Sequence, residues 1–316
     1  MKALIFPLWL AGTCLFAAPI NTQHISADAK WVAHVNMEAL MESKSHKVLM
    51  DFMSSDEFKE NFSSTPFNAS KFEDGKKKLE KVRSMTLYGS TMGKGEGVAI
   101  VDGDLDIDDL TDNVFGNKTQ KKTIQIDGYS VHSWKGHKRH KEVLMTAFNS
   151  DTHVFATSLE KMTDALDVLG GHKTDLQQSK NELKSKVSAI EPAFILAVVG
   201  KTPQLKRSMI MKKSKSLVYT FTENDGEAKS LMTMELNNEQ EATQVQAIMY
   251  GFKAFAGMSA AKFPGVSELL ERYQITQKGT FIDLDLSFTP EEMSDWLKVV
   301  SKNIPSMMNK RSNCWK

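Results

Sequence analysis

Three histidines close together are the residues of this chain best suited to binding a metal. His132, His137 and His140 fall within nine residues, and imidazole is a common ligand of zinc and copper. The same stretch also carries four basic residues, Lys135, Lys138, Arg139 and Lys141. Their positive charge opposes a divalent cation, and no carboxylate or thiol lies among them to offset it. The pattern therefore favours a solvated basic hairpin tip, with weak metal binding at His132, His137 and His140 as the alternative.

A run of alternating acids is the second pattern with possible chemistry. Aspartates occupy every other position from Asp102 to Asp108, as at the start of a calcium-binding loop. Ile107 stands where that loop needs a glycine, and Asn113 stands where it needs a bidentate glutamate. Acids are also favoured at helix N-termini. We therefore interpret this run as the end of a strand that leads into a helix.

Motifs for nucleophilic catalysis are missing from the sequence. It has no Gly-x-Ser-x-Gly elbow, and Cys314 is the only thiol outside the N-terminal segment. An enzyme would have to use dispersed residues, and His34 and His132 with nearby acids are the candidates. Convergence of both histidines and a carboxylate in one pocket would favour a hydrolase or a metal-dependent enzyme. Histidines on separate surfaces would favour a binding role.

The elements that must position these residues are short amphipathic strands joined by hairpins. Turn signals stand at Asn224-Asp225-Gly226 and Lys278-Gly279. Asn36, Ser158 and Asn238 are predicted helix caps, and Thr289-Pro290-Glu291-Glu292 has the spacing of a capping box. The long helix after Asn238 is expected to turn six apolar residues inward: Ala242, Val245, Ile248, Met249, Phe252 and Phe255.

Hairpin-linked strands with amphipathic helices predict an α+β fold. We expect two similar halves of mainly antiparallel sheet with helices packed on one face, as ferredoxin-like or related open-faced sandwiches. The domains would span residues 27–172 and 191–302, with a helical connector at 173–190 and a tail at 303–316. Both halves share an order of strands and helices, which predicts an internal repeat. One continuous sheet through both halves is the alternative.

The N-terminal segment has the pattern of a signal peptide at residues 1–18. Lys2 precedes an apolar run of about 16 residues, shorter than the roughly 20 that a spanning helix needs. We expect export to the periplasm or the exterior; an uncleaved membrane anchor is the alternative. Without Lys2 the chain holds 39 basic and 39 acidic residues. That neutrality offers no global field to attract nucleic acid.

The two cysteines raise separate possibilities. Cys14 follows Leu10-Ala11-Gly12-Thr13, which is similar to a bacterial lipoprotein box except for Thr13, so lipidation there is an alternative to simple cleavage. Cys314 lies in the tail, where it is either a free thiol or one end of an intermolecular disulfide. An internal disulfide is not expected, because a mature chain has only that one thiol.

The opening Ala29-Lys30-Trp31-Val32-Ala33-His34-Val35-Asn36 resembles that of uncharacterised exported proteins of planctomycete-type bacteria, which carry A-x-W-V-x-H-V-D after the signal peptide. The resemblance continues through Val98–Asp104 and through Ala165–Gly170. It implies export and a similar fold, and no activity. Asn36 replaces the usual acid.

Taken together, these patterns predict an exported protein with a non-enzymatic binding or interaction role in the cell envelope. No cofactor is expected. The partner would be a protein or another envelope ligand that contacts an open sheet face or edge. The alternative is the exported hydrolase or metal-dependent enzyme that uses His34 and His132.

Overall fold

The computed structural model describes residues 20–56, 58, 79–92, 97–106, 120–135, 142–188, 194–199, 210–260 and 264–299. The predicted leader with Cys14, the tail with Cys314, and both His137 and His140 lie outside these ranges.

Within these ranges the strands form one antiparallel sheet in the order β11-β12-β10-β9-β8-β1-β2-β3-β7-β6-β5-β4. The strands are β1 (Trp31–Asn36), β2 (Val82–Gly89), β3 (Val98–Gly103), β4 (Gln120–Ile126), β5 (Tyr129–Lys135), β6 (Glu142–Ala147), β7 (Thr152–Ala156), β8 (Phe194–Val199), β9 (Ser214–Asn224), β10 (Glu227–Leu236), β11 (Gln274–Lys278) and β12 (Phe281–Phe288). Strand β1 pairs with both β2 and β8, so the sheet runs without a break from one half into the other. The α+β class with antiparallel pairing is confirmed. The domain bounds stay a prediction.

The helices begin where the sequence places capping residues. They are α1 (Met37–Glu42), α2 (Lys44–Ser54), α3 (Leu159–Leu169), α4 (Glu182–Val187), α5 (Glu239–Ala260), α6 (Pro264–Arg272) and α7 (290–299). Asn36 accepts a hydrogen bond from the Ala39 amide at 3.0 Å, and Asn238 accepts one from the Glu241 amide at 2.8 Å. Thr289 and Glu292 exchange both bonds of the predicted capping box. These side chains satisfy amide groups that have no partner within the helix.

Tight turns hold the hairpins in register. Asp225 and Gly226 have φ angles of 53° and 81°, and Asp127 and Gly128 have φ angles of 49° and 85°. Two successive positive φ angles define the type I′ turn, whose twist matches that of the flanking strands. The hairpin predicted at Asn224-Asp225-Gly226 is confirmed.

The connector is mostly not helical, contrary to the prediction of a helix over residues 173–190. Its helix α4 covers only Glu182–Val187. Asp175 accepts a hydrogen bond from the Gln178 amide at 2.8 Å, and the Asn181 side-chain amide donates to the Ala27 and Ala29 carbonyls. The local Asp175 bond competes with helical hydrogen bonding, and the long-range bonds of Asn181 hold the segment just before α4 against the chain at Ala27–Ala29, so the helix begins late.

The sheet has two faces with different coverings. The His34 face carries Val32, His34 and the residues in register with them, and the Trp31 face carries Trp31, Ala33 and theirs. On the His34 face, α3 packs over the first half with Met162 and Leu166, and α4 packs next to β8 with Leu183 and Val187. On the Trp31 face, α5 packs over the second half with Ala242 and Val245. The described helices therefore pack on opposite faces toward the two ends of one sheet.

Helix α5 departs from the prediction in its second part. Ala242 and Val245 are fully buried as expected, but Phe252 is 63% exposed and Phe255 is 70% exposed. The inward stripe instead continues to Lys253, whose amino group donates to the Tyr273 carbonyl at 2.5 Å. The prediction that Phe252 and Phe255 face inward was therefore wrong.

Candidate binding groove

A groove on the Trp31 face follows the line of β3. At the groove, the chain presents Gly97, just before β3, and Ala99 of β3 to this face, and neither has more than a methyl side chain. Leu87 of β2 flanks them on one side and Phe155 of β7 on the other. Because two small residues lie between larger neighbours on adjacent strands, the sheet surface is hollow at this point.

Trp31 stands at one side of the groove. Its indole Nε1 donates a hydrogen bond to the Thr91 carbonyl at 2.9 Å, which fixes the orientation of the ring. Trp31 is paired with Gly89 in the sheet. A Cβ atom placed on Gly97 would lie 3.6 Å from the Trp31 ring, at ordinary contact distance. Gly97 is therefore a position where a larger side chain would enter the groove directly.

The groove is apolar and of modest size. Its volume is about 170 Å³, and Val143 completes the wall beside Phe155. An apolar cavity of about 150 Å³ is large enough for benzene. Thr157 is the polar residue at the rim, with its hydroxyl 3.4 Å from the Gly97 carbonyl. The arrangement can therefore hold an alkyl or aryl group, and it offers no acid or base for chemistry.

His34 and His132 do not meet. His34 is buried on its face of β1, and its Nδ1 shares a hydrogen bond with Thr86 Oγ1 at 2.8 Å. His132 lies on the opposite face of β5, because it is in register with Met145 and, through it, with Phe155. The two strands are five positions apart in the sheet, about 24 Å at roughly 4.8 Å per strand. This separation removes the geometric basis for a shared active site.

The metal-binding alternative rests on residues that are only partly described. His132 shares a hydrogen bond with Thr123 Oγ1 at 3.0 Å, and its ring lies 5.9 Å from that of Trp134. His137 and His140 fall outside the described ranges. Among the residues that the structure describes, no group of three or more histidines, cysteines or acids is placed to hold a metal. The His132, His137 and His140 site stays a prediction.

Asp102, the first residue of the acidic run, has a structural role. Its carboxylate accepts hydrogen bonds from the Ser84 hydroxyl on β2 and from the Thr152 hydroxyl on β7, both at 2.9 Å. These bonds tie β2 and β7 to the intervening strand β3. The carboxylate therefore serves to join three strands.

Two buried polar side chains, His153 and Tyr88, were not predicted from the sequence. Nδ1 of His153 and the hydroxyl of Tyr88 have no hydrogen-bond partner in the described part of the chain. Burial lowers the pKa of His153, and the nearby backbone of Val101 and Leu105 opposes that shift only in part. Burial also raises the pKa of the Tyr88 phenol, with the charges of Asp28 and Asp164 acting in the same direction. Their surroundings depend on strand register, which no local pattern reveals.

No helix among the described residues is both long and apolar enough to cross a membrane.

The fold and the groove define an α+β protein with one extended antiparallel sheet and an open apolar hollow. No protein-family profile and no curated protein matches the sequence. Among solved structures, crystal form III of TP0453 is similar over 89% of this chain and 97% of that chain, with 9% identity and a TM-score of 0.49. Crystal form I of TP0453 gives 10% identity, 90% and 98% coverage and a TM-score of 0.48. The likeness is distant, and nothing about function follows from it.

Proposed function

We propose that this chain is an exported, non-enzymatic binding protein of the cell envelope, and that the groove along β3 is its binding site. The ligand is an alkyl or aryl group of about benzene size, carried by a larger molecule that extends out of the open side. The observation that carries the proposal is the hollow at Gly97 and Ala99 between Leu87 and Phe155. The signal-peptide pattern at residues 1–18 supports export.

The chemistry of the walls supports binding over catalysis. Burial of apolar surface contributes roughly 25 cal/mol per Å², so an alkyl or aryl group gains free energy by leaving water for this groove. Pockets for small molecules are lined mainly by apolar side chains with few polar groups, as this one is. The separation of His34 from His132 adds to this argument, since the residues suggested for catalysis lie on opposite faces. In this proposal the two halves keep the predicted likeness to ferredoxin-like sandwiches, joined edge to edge.

The test fills the groove. Gly97→Leu places an isobutyl group beside Trp31, and Thr276→Leu adds the same group at an exposed position of edge strand β11 as the matched control. We expect toluene and medium-chain carboxylates to bind the wild-type protein and Thr276→Leu equally in calorimetric titrations. Binding to Gly97→Leu should weaken at least about tenfold, because the added side chain occupies the ligand's volume.

Circular dichroism of both variants establishes that each has folded. Equal affinity in the folded wild-type and Gly97→Leu proteins would place binding elsewhere, and the absence of any binding to the wild-type protein would contradict the proposed ligand class.

A further inference from the structure

The two outer strands of the sheet differ in what their free edges contact. Strands β4 and β11 are the last in the strand order, so each pairs with a single neighbour among the described strands. At the β11 edge, the Ile275 carbonyl accepts a hydrogen bond from the Tyr250 hydroxyl of α5 at 2.8 Å. The preceding Tyr273 carbonyl accepts one from the Lys253 amino group at 2.5 Å. Side chains of α5 therefore cover the backbone of this edge.

The outward backbone groups of β4 can be identified from its turn. Ile126 pairs with Tyr129 across the type I′ turn at Asp127-Gly128, and such a turn is closed by a hydrogen-bonded pair. Hydrogen-bonded pairs occur at every second residue of an antiparallel ladder. The residues that alternate with Ile126 therefore direct their amide and carbonyl groups away from β5, and these are Lys121, Thr123 and Gln125. Among the described residues, no second strand and no helix bonds to the β4 backbone.

Strand β4 is accessible from both faces of the sheet. Lys122, Thr123, Ile124 and Gln125 are all exposed. Because successive residues of a strand point to opposite faces, exposure of four in a row means that neither face is covered here. The strand has seven residues, which is about 24 Å at roughly 3.4 Å per residue. A free edge of this length, with its outward amide and carbonyl groups, is a template for the addition of another strand.

The sequence of β4 complements itself in one antiparallel register. If Thr123 lies opposite Thr123 of a second copy, Lys121 lies opposite Gln125, and all three outward residues fall in hydrogen-bonded pairs. No other antiparallel register of two β4 strands pairs all three of these residues with one another. Lys122 then lies opposite Ile124, so no lysine opposes a lysine, an arrangement that would be destabilising. An unrelated strand would have to match this pattern, whereas a second copy matches it by its own sequence.

We propose that two copies of this chain associate through β4, so that their sheets continue into one another across a two-fold axis at Thr123. Head-to-tail growth from β4 to β11 is blocked because α5 covers the β11 edge, so the assembly closes at two copies. One strand pair buries less than the roughly 800 Å² per partner of a stable interface. We therefore expect a dissociation constant in the micromolar range or above. The β4 edge is separate from the groove along β3, so either proposal can fail without the other.

The first test measures self-association of the full chain by sedimentation equilibrium, from about 1 to about 200 µM. Gln125→Lys sets a lysine opposite Lys121 of the other copy twice in each dimer, and it should weaken association at least about threefold. Gln125→Glu should strengthen it by a similar factor. Thr276→Lys adds the same charge at an exposed position of β11 and is the matched control. A wild-type protein that stays monomeric over this range, or equal effects of Gln125→Lys and Thr276→Lys, would overturn the proposal.

A second test reads the register by disulfide formation in a chain that also carries Cys14→Ser and Cys314→Ser. Thr123→Cys sets two thiols opposite each other at the two-fold axis, with Cα atoms about 5.5 Å apart, which a disulfide can span. Gln125→Cys is the matched control, because its two copies lie about 14 Å apart, four residues along the strand. We expect air oxidation to link Thr123→Cys into dimers and to leave Gln125→Cys monomeric, with circular dichroism showing that both have folded. Equal linking of the two variants, or linking of Gln125→Cys alone, would contradict the two-fold pairing.

Discussion

His153 shows how one buried side chain links the stability of this protein to pH. It lies on β7 in register with Val101, and it is 2% exposed. Burial lowers its pKa below the ordinary value of 6.5, so the folded protein holds it neutral where the unfolded chain would bind a proton. Below pH 6.5 the unfolded state therefore binds more protons than the folded state, and the free energy of unfolding decreases.

Replacement of His153 should remove part of this pH dependence. We expect the wild-type protein to lose more stability between pH 7.5 and 5.5 than His153→Gln loses, as measured by urea unfolding at each pH. Burial also lowers the pKa of His24. The His153→Gln variant therefore still loses some stability as the pH falls. Exposed His172→Gln is the matched control and should behave as the wild type does. Parallel stability curves for the wild type and His153→Gln would contradict this account.

Residue types alone predicted the chemistry of single side chains poorly. The spacing of His132, His137 and His140 suggests a metal site, yet the placement of His34 and His132 depends on strand order and on the alternation of faces. In the sequence, Gly97 is simply the last of four closely spaced glycines that begin at Gly89. Only the pairing of β3 with β2 and β7 shows that it forms the floor of a groove. A one-residue change of register would move every one of these side chains to the other face.

At the scale of elements, a distant carboxylate completes the start of α2. Ser43 accepts a hydrogen bond from the His46 amide at 3.0 Å, as a local cap does. Glu223 of β9 accepts from the Lys44 and Ser45 amides at 2.7 and 3.0 Å, although it is almost 180 residues away in the chain. The negative charge also interacts favourably with the helix dipole. This contact fastens a helix of the first half to a hairpin of the second.

Loss of that carboxylate should destabilise the protein. We expect Glu223→Ala to lower the free energy of unfolding by about 1 kcal/mol, because two amides of α2 lose their acceptor. Glu227→Ala, an exposed glutamate on the same hairpin, should change it by less than about 0.5 kcal/mol. Chemical denaturation measures both, and equal effects of the two substitutions would show that the cap contributes nothing.

Local caps and turns were predictable because each uses residues that are adjacent in sequence. Asn36, Asn238, Thr289 and the Asp225-Gly226 turn all behave as their sequence patterns indicate. The cap from Glu223 and the outward direction of Phe252 could not be predicted in this way. The first depends on a contact between the halves, and the second on which turn of α5 meets the sheet.

At the scale of the whole molecule, the two halves share a core. Ile195, Ala197 and Val199 of β8 pack in the same cluster as Val32, Tyr88 and Leu166. Lys186 of α4 also pairs with Glu235 of β10 at 2.8 Å, with both side chains about 80% buried. Backbone bonds between β1 and β8 and the shared apolar cluster therefore join the halves, and the partly buried ion pair fastens the connector to the second half.

We expect the chain to unfold in one cooperative transition. Ile195→Ala, which removes a buried side chain of β8, should lower the free energy of unfolding by about 2–5 kcal/mol. The effect should be the same whether Trp134 of the first half or Trp296 of the second reports it. Subtracting the fluorescence of Trp134→Phe or Trp296→Phe from that of the protein with all its tryptophans, each with and without Ile195→Ala, isolates the signal of Trp134 or of Trp296, because Trp31 and the other tryptophans are common to all. An unchanged transition at Trp296 would mean that the halves are independent domains.

The sequence was sufficient to predict the α+β class, antiparallel pairing and most strand positions, because alternation and turn residues are local. It left open whether the halves form one sheet. Strand β8 reads Phe-Ile-Leu-Ala-Val-Val, an apolar run that fits a strand in the middle of a sheet, but such a run does not say which strand lies beside it.

The depth of the groove along β3 depends on the size of only a few side chains. Its depth follows from the small side chains at two alternate positions, Gly97 just before β3 and Ala99 within it. A methyl group added at Gly97 or removed from Ala99 changes the room in the groove by about one carbon atom, while the strand keeps its backbone hydrogen bonds. In the proposed binding role, substitutions at positions 97 and 99 would therefore change the size of the ligand that fits, while the pairing of β3 with its neighbours is kept.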